Sequence, residues 1–283
     1  MLERSTQPRH WLANQFSQGL TRDNFQRALN DVAEGWRART LWGTIGLHDI
    51  RQRYRRSFLG PFWITLSMGI LVSALGVLYG KIFNRDLSEY MPYLAAGYIV
   101  WGFLSASILD GAKSFLSAEG LIRQLAAPLS LHVYRVLWTN LLIFAHNIWI
   151  YVALALWFRV DVDWSLLLFI PALGLLLLNA VWIGLLLGLL SARFRDIPMI
   201  LSSIVQVSFF ITPVLWKPDM LAGRTVILAV NPFFHYVEIV RAPLLGESAS
   251  AQSWLLVLMM TVLGWATALL FYTVYRWRIA YWV

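Results

Sequence analysis

Arg51, Arg53, Arg55 and Arg56 fall within six residues of one another and form the chain's most concentrated set of charged donors. A guanidinium keeps its charge at every physiological pH, so such a set suits anionic headgroups better than acid–base catalysis. The surrounding stretch, DIRQRYRRSFLGPFW at 49–63, passes from basic and amphipathic to wholly apolar. Read as a helix, Leu47, Ile50, Tyr54 and Phe58 share one apolar stripe flanked by the arginines. This pattern predicts an interfacial helix over 40–59, its apolar face in lipid and its guanidiniums among headgroups. A solvated basic linker is the alternative. Gly60 and Pro61 break the helix, and Pro favours the first turn of a new one, so the chain is expected to turn here into the bilayer.

Other chemistry is sparse. Asp161 and Asp163 have a spacing seen in metal loops, but two carboxylates in a tight turn are expected to be solvated charges. His146, beside Asn147, is expected to be neutral and hydrogen-bonded between helices, or to form a polar contact in a pathway. No histidine stands at metal-site spacing from another ligand, and no Gly-x-Ser-x-Gly elbow occurs. The phosphate cradle Gly-x-x-x-x-Gly-Lys-Ser/Thr is absent too, since Gly111-Ala-Lys-Ser lacks its upstream glycine. The chain is therefore expected to bind no cofactor or metal and to catalyse nothing. Any transport would draw its energy from another subunit.

The elements that must position these groups are membrane helices. Of 283 residues, 59% are hydrophobic and only 13% charged, which excludes an ordinary water-soluble domain. A net charge of +8 raises the possibility of nucleic acid, but the basic residues sit beside apolar runs, so membrane-side charge is the reading taken. Without cysteine there is no disulfide or thiolate site. Apolar runs predict six spans near 62–83, 92–109, 137–158, 166–190, 199–216 and 254–275. A short surface helix is expected between the second and third, and a half-buried or re-entrant helix, capped by Asn231, before the last. Residues 1–39 are polar and of mixed charge, with no visible signal peptide, and read as a cytoplasmic extension. Arg51, Arg53, Arg55, Arg56, Lys113, Arg123, Arg135, Arg193, Arg195, Arg276 and Arg278 fall on one side of this topology, with Arg85 and Arg159 in the short turns opposite. That bias predicts both termini inside.

The 15 Trp, 11 Tyr and 16 Phe mostly fall at span ends, as an aromatic belt would. Tyr79, Phe209, Phe210 and Trp216 instead cluster at the outer ends of spans one and five. They either pack in the core or present apolar ring faces to sugars along a path.

Taken in order, the 49–63 stretch, the Phe-Arg-Asp-Ile-Pro run at 194–198 leading into Phe-Phe-Ile-Thr-Pro-Val at 209–214, and the 231–246 run from Asn-Pro-Phe-Phe to Arg-Ala-Pro-Leu-Leu-Gly carry a resemblance. With six spans they resemble the transmembrane subunit of type-2 ABC exporters, specifically permeases for O-antigen and related polysaccharides. The likeness covers 41 to the carboxyl end and leaves the first forty residues outside it. It implies a homodimer in the bacterial inner membrane, each copy docked on a separate cytoplasmic ATPase that binds ATP and Mg. The helix around 50–57 would be a gate element, with Arg51, Arg53, Tyr54, Arg55 and Arg56 meeting the phosphate of an undecaprenyl-pyrophosphate-linked polysaccharide. Phe115, Leu116, Glu119 and Arg123 would couple to the ATPase, and Tyr79, Phe209, Phe210 and Trp216 would line a channel at the dimer axis. The shared fold leaves teichoic acid, capsule or a drug as other cargoes, and an integral membrane enzyme acting on lipid-linked sugars as a reading of another class.

Overall fold

A computed structural model describes residues 20–53, 55, 57–221 and 226–283, and every regular element among them is helical. In chain order these are α1 (Arg22–Arg37), α2 (Arg39–Arg53), α3 (Phe62–Ile82), α4 (Leu87–Ala112), α5 (Glu119–Gln124), α6 (Ser130–Trp157), α7 (Phe169–Arg193), α8 (Ile197–Ile211), α9 (Val226–Val230), α10 (Pro232–Leu244), α11 (Ala251–Tyr275) and α12 (Ile279–Trp282). Short polar residues set several starts. Asp86 accepts the Ser88 N–H and hydroxyl at 2.8 Å each, which opens α4 and holds the Asp86 carboxyl below its usual pKa. Asn231 accepts the Phe233 N–H at 3.0 Å, with Pro232 behind it, and opens α10.

Among the described residues five stretches are long and apolar enough to cross a membrane: α3, α4, α6, α7 with the 3-10 turn before it, and α11 continuing into α12. The remaining predicted span, 199–216, is only partly helical. Its helix α8 has 15 residues, about 22 Å against the roughly 30 Å of a bilayer's apolar core. It stops at Ile211 because Pro213 forces Thr212 out of the helical region, to ψ 135. The chain then continues through 212–216 without regular structure.

α4 is the central post of the bundle, its apolar window 72% buried, whereas that of α3 is 17% buried. Glycines of the Leu- and Gly-rich α7 let it close on α4 and on the segment after it. A Cβ on Gly111 of α4 would stand 3.1 Å from the Gly184 Cα, and one on Gly188 would stand 3.1 Å from the Phe115 ring. Backbones thus meet directly, as small residues allow in membrane packing. Tyr151 of α6 donates its hydroxyl to the Leu244 carbonyl and so joins that bundle to the end of α10.

Past α10 the chain reverses at Gly246, φ +74, where a Cβ would lie 2.1 Å from the Asp161 carbonyl oxygen. Positive φ alone costs a side chain about 1–2 kcal/mol, and here the obstacle is backbone. Gly246→Ala is expected to destabilise the protein by at least about 2 kcal/mol, read as earlier thermal unfolding in detergent.

α2 departs from the sequence expectation. It spans Arg39–Arg53 rather than 40–59, and Phe58 lies beyond its end, fully exposed, while Leu47 is 42% exposed. The face that packs is Gly46, Asp49 and Ile50, turned onto α6. A Cβ on Gly46 would sit 2.9 Å from the Trp138 ring, and Ile50 is buried. Gly46 lets the helices close, and the Asp49 carboxylate meets Arg135 through two contacts of 2.6 Å. A protein contact thus takes Ile50 out of the stripe assigned to lipid, while Leu47 and Phe58 remain exposed.

The amino-terminal region, given no role from sequence, supplies α1, and α1 is docked. Asp31, buried, accepts from the Leu129 and Ser130 N–H groups at 3.1 and 3.0 Å, from the Tyr272 hydroxyl at 2.7 Å and from Arg276 at 3.0 Å. Ser130 returns its hydroxyl to the Asp31 carbonyl at 2.7 Å. One carboxylate thereby caps the start of α6 and pins the end of α11.

Candidate functional site

Two sites stand at opposite ends of the bundle. The first surrounds the irregular segment 212–216. Carbonyl groups released from a helix inside an apolar bundle need donors, and those of Pro213, Leu215 and Trp216 are met from neighbouring helices. Arg241 of α10, only 2% exposed, donates to the Pro213 carbonyl at 2.6 Å and to Glu238 at 2.7 Å. Its guanidinium carbon also stands 4.1 Å from the centre of the Tyr93 ring. The Tyr93 hydroxyl reaches the Pro213 and Trp216 carbonyls at 3.0 and 3.2 Å, and Tyr90 donates to Leu215. Asn231 donates to the Thr212 hydroxyl at 3.0 Å.

Three of the four aromatic candidates gather on this collar. Tyr79, Phe209 and Trp216 pack around Tyr90, Leu94 and Leu215. Phe209 is wedged between Tyr98 and Trp101, with ring centres at 5.8 and 5.5 Å. Trp216 folds back so that its indole N–H reaches the Phe210 carbonyl at 3.0 Å. Phe210 itself points outward and is 62% exposed. It continues an open face of α8 that carries Met199, Ile204 and Val207 together with the exposed polar residues Ser202, Ser203 and Gln206. α3 has a comparable open face, where Ile70 and Leu78 accompany exposed Ser67 and Ser73.

The second site is a cleft of about 450 Å³ where the end of α2, the end of α4 and the start of α6 converge. Asp49, Gln52, Arg53, Asp110, Lys113, Ser117, Arg135 and Asn140 line it. Asp49 neutralises Arg135, and neither Arg53 nor Lys113 joins an ion pair among the described residues. Two cations therefore face one remaining carboxylate, Asp110, amid neutral donors, a balance that favours an anion. Of the five residues proposed for phosphate contact, Arg53 alone lines this cleft among those described. Arg51 and Arg55 are exposed outside it, and Tyr54 and Arg56 lie outside the described residues. Sequence reasoning missed Lys113 and Asp110, which belong to a different helix and enter the cleft only through packing.

The segment 115–124 divides by burial. Phe115 is fully buried against α7 and cannot touch another protein, which corrects its assignment to a coupling surface. Its ring anchors the segment instead. Leu116 is half-buried over the same cluster. Glu119 and Arg123 pair at 2.8 Å on the exposed side of α5, and Arg123 also donates to the Val283 carbonyl at 2.7 Å. His146 too differs from expectation. Its Nδ1 lies 2.7 Å from the Leu142 carbonyl one turn back on its own helix, so that nitrogen carries the proton and the bond is not interhelical. Asp163 accepts the Trp164 N–H at 2.6 Å and serves as a local cap.

Residues 40–245 match the ABC-2 type transporter family, so the chain belongs to it and is the permease of an ABC-2 transporter, a multi-pass membrane protein. It is 24% identical over 204 residues to the O-antigen export system permease protein RfbA of Myxococcus xanthus, covering 71% of this chain and 78% of that protein. It is also 20% identical over 186 residues to a Klebsiella pneumoniae protein of the same name, covering 65% and 72% of the two.

Proposed function

We propose that this permease exports a lipid-linked polysaccharide, O-antigen in the first instance, across the bacterial inner membrane with both chain ends in the cytoplasm. Two copies face each other through the open sides of α3 and α8, and a separate ATPase, holding ATP and Mg, docks beneath the exposed side of α5. The cargo class rests on the names of the two relatives. What supports the pairing is the mixture on α8, where Ser202, Ser203 and Gln206 stand exposed among large apolar groups. Lipid gains nothing from hydroxyls and amides, whereas a facing copy enclosing a polar path does.

The observation that carries the reading is the Arg53–Lys113 cleft at the end of the bundle that bears the arginine-rich helix. The phosphate of a lipid carrier would arrive at that level with its sugar chain, meet two fixed charges and dock before force is applied. No bond is made or broken on this chain. The collar at 212–216 would form the far exit, where Tyr79, Phe210 and Trp216 offer ring faces to passing sugars.

Arg53→Gln combined with Lys113→Gln is expected to cut surface polysaccharide at least tenfold, with membrane insertion and ATPase co-purification unchanged. Unaltered display in that double variant would remove phosphate docking at this cleft. Failure of any ATPase to co-purify with the full chain would remove the wider reading.

A further inference from the structure

α5 is six residues long, fewer than two turns, and beyond it 125–128 have no regular structure. A helix that short is not stable alone, so its place must be fixed by what packs on it. Its near end is anchored by the buried Phe115 ring. Its far end is held by the carboxyl-terminal segment. Arg123 donates to the Val283 carbonyl at 2.7 Å and pairs with Glu119 at 2.8 Å, so one guanidinium ties the short helix both to itself and to residue 283.

Segment 276–283 is packed as firmly as the spans themselves. It follows α11 directly, through the 3-10 turn Arg276–Arg278 into α12. Ile279 and Val283, four residues apart and so on one face, are buried in the same cluster as Phe115, Leu185, Leu189 and Ala192, and Leu116 and Ile122 pack against that cluster from the α5 side. At the start of the segment Arg276 holds Asp31 of α1 at 3.0 Å. Near its end the Trp282 ring centre stands 5.6 Å from the guanidinium carbon of Arg193, the last residue of α7. One short segment therefore touches α1, α5 and α7 and is continuous with the last span.

We propose that 276–283 is a strut that positions α5 and carries its displacement into α11 and α1. The proposal rests on the reading that the ATPase docks at α5, and it does not depend on the cargo. A push on so small a helix would dissipate in the irregular 125–128 that lead to α6. Close-packed interiors yield little, so through the shared cluster the same push reaches Ile279 and the end of a membrane span. Arg123 and Ile279 are thereby positioning residues, the first acting through Val283 and the second through the Phe115 cluster. The strut lies outside the family-matched region, which ends at residue 245.

The chain contains no cysteine, so a cysteine pair introduced into it can be bridged selectively. The full chain, purified with its co-purifying ATPase, is given a non-hydrolysable ATP analogue, and hydrogen exchange is followed at 115–124 and at 272–283. In the wild type both segments are expected to respond. In Arg123→Cys with Val283→Cys, left unbridged, the response at 272–283 is expected to fall at least threefold while that at 115–124 persists, and a short bismaleimide across the pair is expected to restore it. Ile279→Ala leaves Arg123 in place and is expected to lower the same response about threefold, which keeps the test decisive if the paired variant fails to fold. A side chain that only stabilised the fold would change exchange without nucleotide and leave the nucleotide response intact. A wild-type response confined to 115–124, a full response in the unbridged pair, or no recovery on bridging would each overturn the strut. Absence of any ATPase from the purified wild type would instead remove the docking at α5, and the strut with it.

Discussion

Asp31→Ala is expected to detach α1 and to cost the protein about 3–5 kcal/mol, the range for removing one partner of a buried ion pair. The carboxylate satisfies four donors on three segments, so its loss leaves the first backbone N–H groups of α6, the Tyr272 hydroxyl and the Arg276 guanidinium unmet together. Asp31→Asn keeps an acceptor oxygen of nearly the same shape and is expected to lose about half as much. Limited proteolysis of 20–39 measures detachment, and thermal unfolding in detergent measures the rest. Intact protection of that segment in the alanine variant would show that the carboxylate does not hold it.

The second large effect is expected from Arg241→Met. Methionine approximates the volume but leaves the Pro213 carbonyl with the Tyr93 hydroxyl alone and the partly buried Glu238 without its counter-charge, a loss of about 3 kcal/mol. Arg241→Lys retains a positive charge but neither the second donor nor the planar group that lies over Tyr93, so a partial defect is expected. The measurement pairs thermal stability with polysaccharide export in whole cells. Export that survives Arg241→Met would show the collar to be dispensable for transport.

Much of the framework was legible because its signals are local. Pro213 ends α8, Asn231 opens α10, and the apolar runs of α3, α4, α6, α7 and α11 announce themselves by length and composition. What escaped depends on which face of a helix meets another. The stripe read from Leu47, Ile50 and Phe58 was a fair pattern, yet the face that packs is Gly46, Asp49 and Ile50, at the same helical spacing. A glycine three residues before an acid was the available clue, and an apolar count passes over both. Phe115 was assigned outward from the reputation of its segment, while its ring lies against a glycine on a helix more than seventy residues away. Asp31 and Arg241 carry no local signal, because Arg276 lies 245 residues from Asp31 and Tyr93 lies on a different helix from Arg241.

The collar has a mechanical corollary. Because Tyr90 and Tyr93 of α4 and Arg241 of α10 all grip the same few carbonyls beyond α8, the collar cannot loosen one segment at a time. Those three helices must travel as a single rigid block. The sparsely packed α3 is the natural place for slippage against that block.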